Sequence, residues 1–199
     1  DALPILISSN SVQVATNGAG TAYINNNDAG FVSVTTGTGS VGNLTYTAEN
    51  PGNTGINVTT LGLGVNGIQG TGNLVFQGVS GTNAAFSLNN PVTATGSGTI
   101  TIEATGAGGT SGTGLLSASK VTLLTQGGQI GNAGVGRINT NTPTLVLGSN
   151  GGIGAGAVYI QDSQSVDITT DTGRTIGSLD YTSPTNGTTV TVGTNGIAS

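Results

Sequence analysis

The 199-residue chain has no cysteine, histidine, methionine or tryptophan, and only 6% of it is charged. Ordinary globular proteins carry roughly 25% charged residues. Each absence removes chemistry. Without cysteine or histidine there is no zinc finger, haem ligand, iron–sulfur site, or thiol or imidazole catalysis. A Ser-His-Asp triad is excluded. The basic residues are Lys120, Arg137 and Arg174, and the net charge is −5. Three scattered cations on an acidic chain do not make a nucleic-acid interface. No apolar run approaches the roughly 18 residues of a spanning helix, so no membrane span is expected. No basic-then-apolar signal segment opens the chain. The missing initiator Met fits a mature chain or a piece of a longer one.

Gly, Ser, Thr and Asn supply over half of the residues. That composition suggests disorder, but the remaining residues argue against it. Hydrophobic residues reach 34% and mean hydropathy is slightly positive. They fall in short, β-branched, alternating runs, such as Ile100-Thr101-Ile102 and Val190-Thr191-Val192. No helical period survives the frequent Gly and Asn.

The runs predict strands at Leu3–Ile7, Val12–Val14, Ala22–Ile24, Phe31–Val34, Leu44–Tyr46, Ile56–Val58, Leu61–Val65, Leu74–Phe76 and Ala84–Leu88. Further runs lie at Ile100–Ile102, Leu115–Leu116, Val121–Leu124, Leu145–Leu147, Val158–Ile160, Val166–Ile168, Ile176–Leu179 and Val190–Val192. Turn residues separate them. Two all-β architectures fit: an antiparallel β-sandwich and a β-solenoid. Short strands, few aromatics and few two-residue hairpin turns favour the solenoid. Loose repetition points the same way: Gly114 to Gly131 reads as one full turn. A period near 20 residues predicts roughly nine or ten coils. Residues 1–199 then form a single solenoid segment, with Ala107–Gly114 read as a long corner.

The stretch Gly114 to Gly131, followed by Arg137-Ile138-Asn139-Thr140, Leu145-Val146-Leu147 and Ala157-Val158-Tyr159-Ile160, resembles the repeat region of filamentous-haemagglutinin-type exoproteins. These are large bacterial surface adhesins secreted by the two-partner route. The resemblance is clearest over residues 111–177. It implies a right-handed parallel β-helix, export in an unfolded state, and a stalk or adhesive role. It places the chain outside the cell or on the bacterial surface. Implied partners are neighbouring coils, identical subunits end to end, and host-surface or matrix glycans or proteins.

Motifs with sharper chemistry have plainer explanations. Gly37-Thr38-Gly39-Ser40-Val41-Gly42 and Gly62-Leu63-Gly64-Val65-Asn66-Gly67 both match the dinucleotide fingerprint. Neither opens a helix, which that chemistry needs to hold a pyrophosphate, and no cofactor is expected. Asp162, Asp167, Asp171 and Asp180 hold half the acids and raise the question of calcium. The plainer reading is solvated acids, with Asp171 and Arg174 as a surface pair. Glu49 and Glu103 stand alone, so a hydrolase carboxylate pair is not expected. No catalytic, cofactor-binding or metal residue is assigned. Sequons at Asn43, Asn57 and Asn186 are no more frequent than composition dictates. Thr-x-Thr pairs, including Thr45/Thr47, Thr93/Thr95 and Thr99/Thr101, are too irregular for an ice-binding face and read as strand propensity. The leading expectation is a non-catalytic rod segment of a secreted adhesin. The alternative is a self-assembling fibre or surface-layer subunit that exchanges the strand Leu3–Ile7.

Overall fold

Glycine, asparagine or proline interrupts nearly every apolar run, so the strands that form are only three to eight residues long. The computed structural model describes residues 3–16, 19–28, 31–49, 55–58, 67–79, 81–151, 154–185, 187–192 and 197–198, with backbone alone at 31 and 55–58. The strands lie in three sheets. Nine form the longest: β1 (Ile5–Ile7), β3 (Thr21–Asn26), β5 (Asn43–Ala48), β8 (Leu74–Gly78), β11 (Thr99–Glu103), β14 (Lys120–Thr125), β16 (Thr144–Ser149), β18 (Val166–Thr170) and β20 (Val190–Val192). Six form the second: β7 (Ile68–Gly70), β10 (Val92–Ala94), β13 (Leu115–Ser117), β15 (Ile138–Asn141), β17 (Ala155–Asp162) and β19 (Ile176–Thr182). Five form the third: β2 (Ser11–Gln13), β4 (Phe31–Thr35), β6 (Gly55–Val58), β9 (Phe86–Leu88) and β12 (Thr110–Gly112).

Every pairing between these strands is parallel. The chain is therefore a parallel β-solenoid, and the antiparallel sandwich is excluded. Its longest sheet stacks nine strands, one per coil. Paired positions lie from 19 residues apart (Ile5 with Ile24) to 30 apart (Tyr46 with Phe76), so the coils are unequal and a uniform 20-residue period is too short.

Two other expectations are corrected, and a third lies beyond test. Ala107–Gly114 is not simply a long corner, because β12 occupies Thr110–Gly112 and Thr110 is buried. Its glycines serve close approach: a side chain on Gly108 would fall on the Ala84 carbonyl of the neighbouring coil. Strands β7, β10, β12 and β15 form where no run was singled out. The run Leu61–Val65 lies outside the described residues.

The core is a set of columns running along the axis. Ile24, Tyr46, Phe76, Ile102, Leu123 and Leu147 stand one above another, all buried. A second column runs Leu44, Leu74, Ile100, Val121, Leu145 and Ile168. Each buried aliphatic side chain stabilises by roughly 1.5–3 kcal/mol. Threonine takes many inward positions at the corners because its hydroxyl can satisfy turning backbone. Thr125 Oγ1 donates to the Gly128 carbonyl at 2.7 Å, and Thr35 Oγ1 to the Gly67 carbonyl at 2.8 Å.

The cross-section changes along the axis. Ile130 bridges Thr110 on one side and Val158 on the other, so the eight-residue β17 continues the line of β12 as well as that of β15. Two faces merge there into one long strand per coil.

Candidate functional site

The four acids weighed for calcium do not converge. Asp162 ends β17 and is fully buried. Its Oδ2 accepts the Thr140 hydroxyl at 2.6 Å, and its Oδ1 accepts the Gln164 N–H at 2.8 Å. Asp167 points outward from β18. Asp171 sits in the following turn, its carboxylate 3.7 Å from Arg174 Nε, the surface pair expected. Asp180 lies on β19 against Arg137. Among the described residues no three metal-ligating side chains form a group. The stretch Gly37–Gly42 forms a corner between β4 and β5, with no helix behind it, and Val41 buries itself against Gly70 of the next coil. Among the described residues no helix is long and apolar enough to cross a membrane.

Two phenols belong to the packed interior, Tyr46 fully buried in the core and Tyr181 half-buried against it. Burial pushes Tyr46 up to about 12; the hydrogen bond from Asn26 opposes the shift and the Asp28 charge adds to it. Burial, followed by the nearby Asp162 charge, pushes Tyr181 up to about 12. Among the described residues the Tyr181 hydroxyl has no hydrogen-bond partner.

The outer faces differ in how their polar groups are used. On the nine-stranded sheet the amides are tied to neighbouring coils. Asn43 Nδ2 donates to Thr21 Oγ1 at 3.3 Å, the Asn73 N–H to Asn43 Oδ1 at 2.8 Å, and Thr99 Oγ1 to Asn73 Oδ1 at 2.9 Å. Gln77 Nε2 donates to Thr47 Oγ1 at 3.1 Å. The Thr-x-Thr pairs do not stack: Thr93/Thr95 belong to a different sheet, and Thr47 pairs with Gln77 where Thr101 pairs with Val75.

The six-stranded sheet presents a second set of outward side chains. Leu115, Asn139, Gln161 and Thr182 form one column, and Thr93, Ser117 and Asn141 another. A third brings together Tyr159 and Asp180, with Arg137 just before β15. Arg137 Nη2 lies 2.6 Å from Asp180 Oδ2, and Nη1 donates to the Asp180 carbonyl at 2.7 Å. Its Cζ stands 6.0 Å from the centroid of the Tyr159 ring. Two shallow depressions cross this face. One, of about 270 Å³, is lined by Leu115, Asn139, Gln161 and Ser163. The other, of about 510 Å³, is lined by Thr93, Ser117, Asn141 and Gln164.

The solenoid ends expose apolar side chains. Leu3, Ile5 and Leu6, in and beside β1, are 88%, 61% and 72% exposed, and the outer edge of β1 is unpaired among the described residues. Val190 and Val192 of β20 are exposed at the opposite end.

No protein-family model matches the chain, and neither does any curated protein or solved structure.

Proposed function

We propose that this chain is a structural rod or stalk segment of a secreted, cell-surface bacterial adhesin, and that it is non-catalytic. The observation that carries this reading is the unbroken axial core. Its columns pass through successive coils, and among the described residues no cleft gathers acids, bases or nucleophiles. A fold stabilised by coil-to-coil stacking can extend coil by coil, which suits reach and display. Antibodies raised against the 199-residue chain test the location. Labelling of intact source cells supports the reading. Labelling confined to permeabilised cells overturns it.

A second reading is a self-assembling subunit of an extracellular fibre, favoured by the exposed apolar residues at β1. Parallel strand edges of one polarity stand at both ends, so head-to-tail addition propagates rather than closes. Deleting residues 1–8 separates the two. Loss of polymers with an unchanged circular dichroism spectrum favours the subunit. A chain that is monomeric before and after the deletion favours the rod.

A further inference from the structure

We propose that the outer face of the six-stranded sheet, from β10 to β19, binds an uncharged polysaccharide lying along the solenoid axis. This goes beyond the rod reading and does not depend on where the rod is displayed.

The first argument is the state of the polar groups. The amides on the nine-stranded face are spent across coils: Asn43 on Thr21 and the Asn73 N–H, Asn73 on Thr99, and Gln77 on Thr47. On the six-stranded face the side chains of Asn141, Gln161, Thr93 and Ser117 make no hydrogen bond among the described residues. Asn139 spends its Nδ2 on the Thr113 carbonyl, at 2.9 Å, and leaves its Oδ1 to accept. A primary amide offers donors and an acceptor side by side, which suits a pair of vicinal sugar hydroxyls.

The second argument is charge. The cation in this patch, Arg137, is neutralised by Asp180 at 2.6 Å and is mostly buried beneath it. A sulfated or carboxylated chain therefore gains little here. Tyr159, on the same strand two residues from Gln161, adds an aromatic ring against which the C–H face of a pyranose can pack.

The third argument is period and shape. Coils repeat every ~4.8 Å along the axis. One pyranose residue advances an extended glycan by a similar distance, so successive sugars would meet equivalent columns. The two depressions lie on adjoining columns and cross the same rungs, forming a trough rather than a closed pocket.

Affinity electrophoresis of the 199-residue chain tests this. Gels contain hydroxyethyl cellulose, galactomannan or arabinoxylan, with heparin as the charged comparator. The proposal expects retardation in at least one neutral gel and less in heparin. The double variant Asn141→Ala/Gln161→Ala then binds about tenfold more weakly or worse, the loss expected for one or two hydrogen bonds. Tyr159→Ala weakens binding similarly. Thr122→Ala, outward on the nine-stranded face, stays within about twofold. Circular dichroism confirms that each variant keeps the fold. No retardation in any neutral gel, stronger retardation by heparin, or equal retardation of the double variant and the parent overturns the proposal. None of these results bears on surface labelling of cells, so the rod reading is judged separately.

Discussion

Raising the pH through the tyrosine range tests the packing of the core directly. Tyr46 is fully buried between Ile24 and Phe76 in the main column. Its hydroxyl oxygen accepts from Asn26 Nδ2 at 2.7 Å. Burial dominates and holds the phenol near 12, above its ordinary value of 10.0. The folded value is thus higher than the unfolded one. The stabilisation is fully present below pH 10 and is lost as pH rises through 12. Two pH units correspond to about 2.7 kcal/mol.

Tyr46→Phe removes the titration while keeping the ring. Asn26 Nδ2 retains its bond to the Ser9 carbonyl at 2.7 Å, so only one hydrogen bond is lost. At neutral pH the variant is expected to be about 1 kcal/mol less stable than the parent. Above pH 12 it is expected to be about 1–2 kcal/mol more stable. The two stability curves therefore cross, at about pH 10.5–11. Tyr181 is present in both proteins and cancels in the difference. The assay is urea unfolding by circular dichroism from pH 8 to pH 12. Parallel curves with no crossing refute the buried, protonated phenol.

Two further predictions use the same denaturation assay. A side chain on Gly128 would fall on the backbone carbonyl of Gly108 in the neighbouring coil, so Gly128→Ala is expected to cost about 1–3 kcal/mol or more. Gly177→Ala, whose added carbon meets nothing closer than 3.4 Å, should stay within about 0.5 kcal/mol; equal effects of the two refute the close stacking of corners. Phe76→Ala empties a site between Tyr46 and Ile102 and should cost about 3–5 kcal/mol, while Phe76→Leu costs less than about 1.5; a loss below 1 for the alanine would mean that the column is not packed there.

The longer strands could be read from alternation because they offer two or three inward positions. In β11, Ile100 and Ile102 face in and Thr101 faces out. Strands of three residues give no such period. In β7 the inward pair is Ile68 and Gly70, and in β12 Thr110 is the inward residue and Gly112 follows at φ 100°, so nothing apolar alternates. Coil length escaped for a related reason. Corners absorb insertions freely, and only the pairing of Tyr46 with Phe76 reveals the long one. The candidate binding face was hidden more deeply. Asn43 and Asn141 look alike in sequence, yet Asn73 and Thr21 stack beside the first and occupy it, whereas the second stacks on Ser117 and its side chain makes no hydrogen bond among the described residues. That difference depends on residues from neighbouring coils, which no local pattern reports.

The poverty of charge follows from the same stacking. In a parallel in-register solenoid, each outward residue faces its equivalents one rung away, at ~4.8 Å. Two like charges at that separation repel by about 1 kcal/mol in water, and more beside a low-dielectric wall. Among the paired strands no two like charges stand on adjacent rungs. Lys120 faces Thr99, Glu103 faces Gln77 and Leu124, and Asp167 faces Thr144 and Thr191. Neutral hydrogen-bonding side chains carry no such penalty, so they dominate the outer columns. Where they pair with each other, as from Thr21 through Asn73 to Thr99, they reinforce the stack. Where they do not, as at Asn141 and Gln161, the same selection for neutrality leaves a surface with unspent hydrogen bonds and almost no field. Such a surface has little to offer an ion and much to offer a polyol, so architecture and proposed ligand have one physical cause.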